Sequence, residues 1–113
     1  MVMFGMMNFT AESATAVAEN YGAIPALPAF MKLTGPYIRS SIEGGISTMS
    51  IFEFDDARAD EAIAYLRHRY ATFEKINGVA VTLEEWLGVG AVLELLEETN
   101  SVTEALKAVS FRI

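Results

Sequence analysis

The chain predicts an α+β domain: one antiparallel four-stranded sheet with its helices on one face. Two observations carry this. Apolar periodicity switches between two and 3.6 in the order strand, helix, strand, strand, helix, strand, and Gly44-Gly45 joins the middle strands as a tight hairpin. A further amphipathic stretch then runs on past residue 88. At 113 residues, 52% of them apolar, the chain makes a single domain with enough material for one core.

The elements follow in order. Val2 to Phe9 reads as a first strand with apolar residues on both parities, as a central strand requires. Thr10 is placed to cap a helix carrying Ala14, Val17, Ala18 and Tyr21 on one face, which Gly22 and Pro25 end. Ala23 to Gly35 is too apolar for a free linker, and a short turn of helix over one end of the sheet is expected there. Pro36 to Glu43 and Ile46 to Asp55 form the hairpin. A two-residue loop sets Ile38 opposite Ile51 and Tyr37 opposite Phe52. Ile38, Ser40, Ile42, Met49 and Ile51 then lie under the helices. Tyr37, Arg39, Ser41, Thr48, Ser50, Phe52 and Phe54 take the opposite face, an assignment that one residue of loop length would swap on one strand.

Asp55 or Asp56 caps a second helix with the stripe Ala59, Ala62, Ile63, Leu66, Tyr70 and Phe73, stopped at Asn77 and Gly78. Val79 to Leu87 is the fourth strand. Val89, Val92, Leu93 and Leu96 mark a third helix, and Ser101 with Glu104 forms a capping box for a last short one. Residues 1–87 thus form the α+β protomer, and 88–113 a helical extension of the same domain.

Composition narrows the chemistry. A formal charge of −7, from fifteen carboxylates against eight basic side chains, argues against nucleic acid as a partner. The absence of cysteine removes thiol nucleophiles, thiolate zinc sites and disulfides. The single histidine, His68, lies roughly opposite the apolar stripe of its helix and is expected in solvent. No uncharged run reaches the ~18 residues of a membrane span, and the apolar N-terminus lacks the flank of a signal peptide. A cytoplasmic protein with no membrane partner, no metal and no cofactor is expected. Glu84 and Glu85 point to opposite faces of a strand and share neither proton nor metal. Gly88-Val89-Gly90 follows the wrong strand for a dinucleotide fingerprint.

What remains is a constellation on the face away from the helices. Arg39, Ser41, Thr48 and Ser50 gather beside Tyr37, Phe52 and Phe54, with Asn8 from the first strand and Trp86 from the fourth as further members. Apolar walls with a few convergent polar groups suit a small apolar or anionic ligand, and Arg39 has the planar fork that grips a carboxylate. The plain alternative is a solvated or interfacial polar patch, with Arg39 paired to Glu43.

The element order resembles the dimeric α+β barrel superfamily of ferredoxin-like folds over Val2 to about Leu87. Gly35, Pro36 and Tyr37, then Phe52 to Asp55, and Arg69, Tyr70 and Phe73 are similar to small stand-alone bacterial proteins of unassigned function. The resemblance implies a homodimer packed sheet against sheet, with a cavity between the sheets. Haem-degrading members of the superfamily use an asparagine, a tryptophan and a helical histidine. Asn8, Trp86 and His68 supply the residue types, but a tryptophan on the last strand and an outward histidine depart from that pattern, so no catalytic role is carried over. The leading expectation is a homodimeric small-molecule-binding or structural module. The alternatives are a cofactor-free monooxygenase-like or isomerase-like enzyme testing Asn8, Arg39 and Trp86, and a protein-interaction module using the helices from Gly90 to Val109.

Overall fold

A computed structural model describes residues 1–99. Strands β1 (Val2–Phe9), β2 (Lys32–Ser41), β3 (Gly45–Glu53) and β4 (Ala80–Trp86) form one sheet in the order β2-β3-β1-β4, every neighbouring pair antiparallel. Helix α1 (Ala14–Tyr21) lies between β1 and β2 in the chain, α2 (Ala59–Glu74) between β3 and β4, and α3 (Val89–Thr99) follows β4. No described helix is long and apolar enough to cross a membrane. The last short helix expected around Ser101 and Glu104 lies outside the described residues.

The core forms between one face of the sheet and the helices. Met3, Met7 and Phe9 of β1 and Phe52 of β3 meet Val17 of α1 and Ala62, Leu66, Tyr70 and Phe73 of α2. Asp55 caps the turn leading into α2, its carboxylate accepting the Ala57 N–H at 3.1 Å. Asp56, Asp60 and Glu61 add negative charge where the helix dipole favours it. Thr10, by contrast, makes no side-chain cap. The chain enters α1 through a 3-10 turn at Ala11–Ser13, and Ser13 Oγ donates instead to the Asn77 carbonyl at 2.7 Å. Asn20 Nδ2 donating to Thr72 Oγ1 at 2.8 Å ties the end of α1 to α2.

Two expectations are corrected. The connector after α1 holds turns and no helix. It packs through buried Met31, with Leu27 and Phe30 half-buried, and β2 begins at Lys32 rather than Pro36. A bulge at Gly35 and Pro36, where Gly35 takes φ +95°, lets the strand continue.

The second correction concerns the hairpin register, and it moves side chains between faces. Ser41 pairs with Gly45, so the loop is the three residues Ile42 to Gly44. Ser41 Oγ accepts the Gly44 N–H at 2.8 Å, and Gly45 carries the positive φ, +70°. Ile38 therefore faces Thr48, and Tyr37 faces Met49. An odd loop length reverses the parity of β3 relative to β2. Thr48, Ser50, Phe52 and Phe54 are buried on the helix side, whereas Met49 and Ile51 lie on the open face. Ile38 and Ser40 share the helix side but lie beyond the helices and stay exposed, and Ile42 projects from the turn.

Candidate functional site

The open face is a lattice whose rows are set by the pairing register. Lys32, Glu53, Val2 and Trp86 form the first row across β2, β3, β1 and β4, and Thr34, Ile51, Phe4 and Glu84 the second. Tyr37, Met49, Met6 and Thr82 form the third, and Arg39, Ser47, Asn8 and Ala80 the fourth. The middle of this face is apolar. Val2, Phe4, Met6, Met49 and Ile51 are half-buried, Tyr37 is 54% exposed, and Trp86, 48% exposed, stacks on Phe4 with ring centroids 5.0 Å apart. The fourth row is polar: Ser47 Oγ donates to Asn8 Oδ1 at 2.5 Å, and exposed Arg39 stands at their flank. Arg39 makes no ion pair with Glu43 or any other described carboxylate.

The sequence-based constellation is therefore divided. Asn8, Tyr37, Arg39, Ser41 and Trp86 share the open face, as expected. Thr48, Ser50 and Phe52 lie on the other side of the sheet, buried beneath the helices, and share no surface with Arg39. Asn8 and Trp86 occupy opposite ends of the face, in the fourth and first rows. His68 is exposed on α2, on the far side of the sheet. The trio of asparagine, tryptophan and histidine is thus not assembled in one protomer.

A second polar cluster lies under the helices, and sequence reasoning missed it. Arg69 is buried in α2 at 5% exposure. Its guanidinium sits 5.2 Å from the Phe52 ring centroid, Nη1 donates to Tyr65 Oη at 3.4 Å, and Nε has no partner among the described residues. Tyr65 Oη in turn donates to the Pro25 carbonyl at 2.7 Å, fastening the connector to α2. Burial pushes the Tyr70 phenol up to about 12, only partly opposed by the Ser50 hydroxyl and the Arg69 charge. Burial also raises Tyr21, with Thr48 and Arg69 acting the other way. One signal was available: Arg69 sits one turn beyond Tyr65 and one residue from the apolar stripe, so its stem belongs at the edge of the core.

Chemically, burial keeps the Tyr21 and Tyr70 phenols protonated beside Arg69, so this cluster organises packing. The open face is the accessible one. Among the described residues no group of His, Asp and Glu is placed to hold a metal ion. A shallow cleft of about 120 Å³ between Val2, Trp86 and the start of α3 is flanked by Asp56, whose carboxylate is taken by the Met1 amino group at 2.6 Å. No protein-family model, curated protein or solved structure matches the chain.

Proposed function

We propose that the protein is a homodimeric small-molecule-binding or structural module in which two copies pack their open sheet faces together, as in the dimeric α+β barrels of ferredoxin-like topology. The apolar centre of the open face carries this reading. Val2, Phe4, Met6, Met49, Ile51 and Trp86 make one contiguous patch on a sheet whose other face packs β1 and β3 against the helices. Patches of this kind on folded domains are interaction surfaces. The strand order β2-β3-β1-β4, with a helix between β1 and β2 and another between β3 and β4, supports the topology. The polar row of Arg39, Ser47 and Asn8 borders the apolar centre, and it supplies the few oriented donors and acceptors that a small ligand between the sheets needs.

Native mass spectrometry of the full chain tests both halves of the reading, with Ile51→Asp as the comparison. The expected result is a dimer for the unaltered protein and a folded monomer for the variant. A monomeric parent, or a dimer indifferent to Ile51→Asp, overturns the proposal. A discrete extra mass on the dimer selects the ligand-binding form of the module, and a clean dimer that stays clean after incubation with small carboxylates selects the structural one.

A further inference from the structure

The lattice on the open face also carries information about how two copies face one another. In a face-to-face stack of identical sheets the twofold axis lies in the plane between them, and its direction decides which residues meet. With the axis along the strands, each row meets the same row of the partner with the strand order reversed. Ile51 then faces the partner's Phe4, Met49 faces the partner's Met6, and Ser47 faces the partner's Asn8. In the second and third rows Ile51 and Met49 thus meet apolar groups and in the fourth Ser47 meets an amide, while in the first Glu53 stands over the partner's Val2 beside its own cross-strand neighbour Lys32. With the axis across the strands the rows reverse instead, bringing Lys32 onto the partner's Arg39 and Val2 onto the partner's Asn8. That arrangement sets like charges together and buries an amide on an apolar side chain. The two diagonal directions stack a corner of the lattice on itself, either Lys32 on Lys32 or Arg39 on Arg39.

Resting on the homodimer reading, we propose that the occupant of the open face is a second copy of this chain related by an axis along the strands. In that dimer β2 of one copy lies over β4 of the other, and Lys32 reaches the partner's Glu84. Charge is distributed to suit. The open-face cations Lys32 and Arg39 both stand on β2, at one edge of the sheet, and Glu84 stands on β4, at the other. The axis along the strands brings those two edges together twice. Lys32 lies over the partner's Trp86, whose ring face also suits a cation, with the partner's Glu84 one row further along. Four strands of about seven residues give a face of roughly 450 Å² in flat projection. Side-chain relief raises the accessible area toward the ~800 Å² per partner of a stable interface.

Zero-length carbodiimide coupling of lysine to carboxylate tests the geometry, because Lys32 and Glu84 of one chain lie three strand spacings across and one row along, about 16 Å, apart. Mixing isotope-labelled with unlabelled full-length chains separates links between copies from links within one. Lys32 and Glu53 are cross-strand neighbours on the same face, so their intrachain product reports that the reagent reached Lys32. The expected result is a mixed-isotope Lys32–Glu84 peptide from the dimer. A dimer that yields the Lys32–Glu53 product without the Lys32–Glu84 one overturns the axis and leaves the dimer standing. A chain that is monomeric by light scattering overturns the dimer itself. As a second arm, Glu84→Lys weakens dimerisation about tenfold, and adding Lys32→Glu recovers it to within about threefold. No recovery in the double variant also overturns the axis.

Discussion

Gly5→Ala adds one methyl group at the tightest point of the core. Gly5 lies on the helix side of β1, directly beneath the Tyr70 ring. A Cβ there would stand 2.1 Å from the Tyr70 hydroxyl oxygen, 2.4 Å from Cζ and 2.7 Å from Cε2. Comfortable heavy-atom contact begins near ~3.5 Å, so the ring has to move by more than about 1 Å. It has nowhere to go. Tyr70 is 2% exposed and is held edge-on by Phe52 at 6.2 Å and against Phe73 at 6.0 Å. Overpacking by a methyl group costs about 1–3 kcal/mol, and a stiff aromatic neighbour places this site at the upper end. Relief of glycine's backbone entropy returns roughly 0.5–1 kcal/mol. The net loss is about 2 kcal/mol, which lowers Tm by roughly 10 °C. Urea unfolding reads it as a fall in midpoint at unchanged slope.

The double-variant cycle identifies the cause. In a Tyr70→Leu background, Gly5→Ala should cost less than about 0.5 kcal/mol, a coupling near 2 kcal/mol. Tyr70→Phe removes the oxygen but leaves the ring carbon at 2.4 Å, so it relieves only part of the loss. If Gly5→Ala alone stays within about 0.5 kcal/mol of the parent, Tyr70 does not rest on Gly5 and the reasoning fails.

Three further outcomes test the face assignment and the buried cluster. Phe52→Ala should destabilise by about 3–5 kcal/mol, since Phe52 is fully buried. Ile51→Ala, one residue away on the open face, should instead act through dimerisation, with a midpoint that depends on protein concentration; equal, concentration-independent losses would show that the two faces are misassigned. Tyr70 holds its proton to about 12 in the folded state against 10.0 ordinarily. The unfolded chain therefore releases that proton first, and stability falls by about 2–3 kcal/mol as pH rises from 10 toward 12. Tyr70→Phe should remove most of this slope in alkaline unfolding curves, leaving the part contributed by Tyr21; an unchanged slope assigns it elsewhere. Arg69, buried without a carboxylate partner among the described residues, is replaceable by an apolar side chain of similar length. Arg69→Met should leave stability unchanged or raise it by about 1–2 kcal/mol, and a loss above 2 kcal/mol by urea unfolding would show that the guanidinium is held by more than Tyr65 and the Phe52 ring.

Much of the architecture was legible in the residue pattern because each signal for it is local. The apolar run from Val2 to Phe9 that marks a strand, the helical stripe from Ala62 to Phe73 and the cap at Asp55 each depend on neighbours a few residues apart, and all three elements stand in the structure. The solvent position of His68 follows from the same helical period. The candidate site was legible only in half. Asn8, Tyr37, Arg39, Ser41 and Trp86 were placed on the open face correctly, while Thr48, Ser50 and Phe52 were not. Period-two reasoning says which residues of a strand share a face, but not which face of the sheet that is.

The sequence by itself determined the α+β class and the order of the elements, and it leaves this chain without a thiol. Only the tertiary structure decided the register of the hairpin, and with it the composition of both faces. The physical reason is a hydrogen bond. The Ser41 hydroxyl takes the Gly44 N–H and makes the loop three residues long, while the two phenylalanines at 52 and 54 find their apolar partners on α1 and α2. Turn closure and core packing agree on one parity, and that agreement is reached across the sheet, beyond the span of any local pattern. The burial of Arg69 beside Tyr65 and over the Phe52 ring is decided in the same way, between α2 and the sheet, with Tyr65 also fastened to the connector through the carbonyl of Pro25.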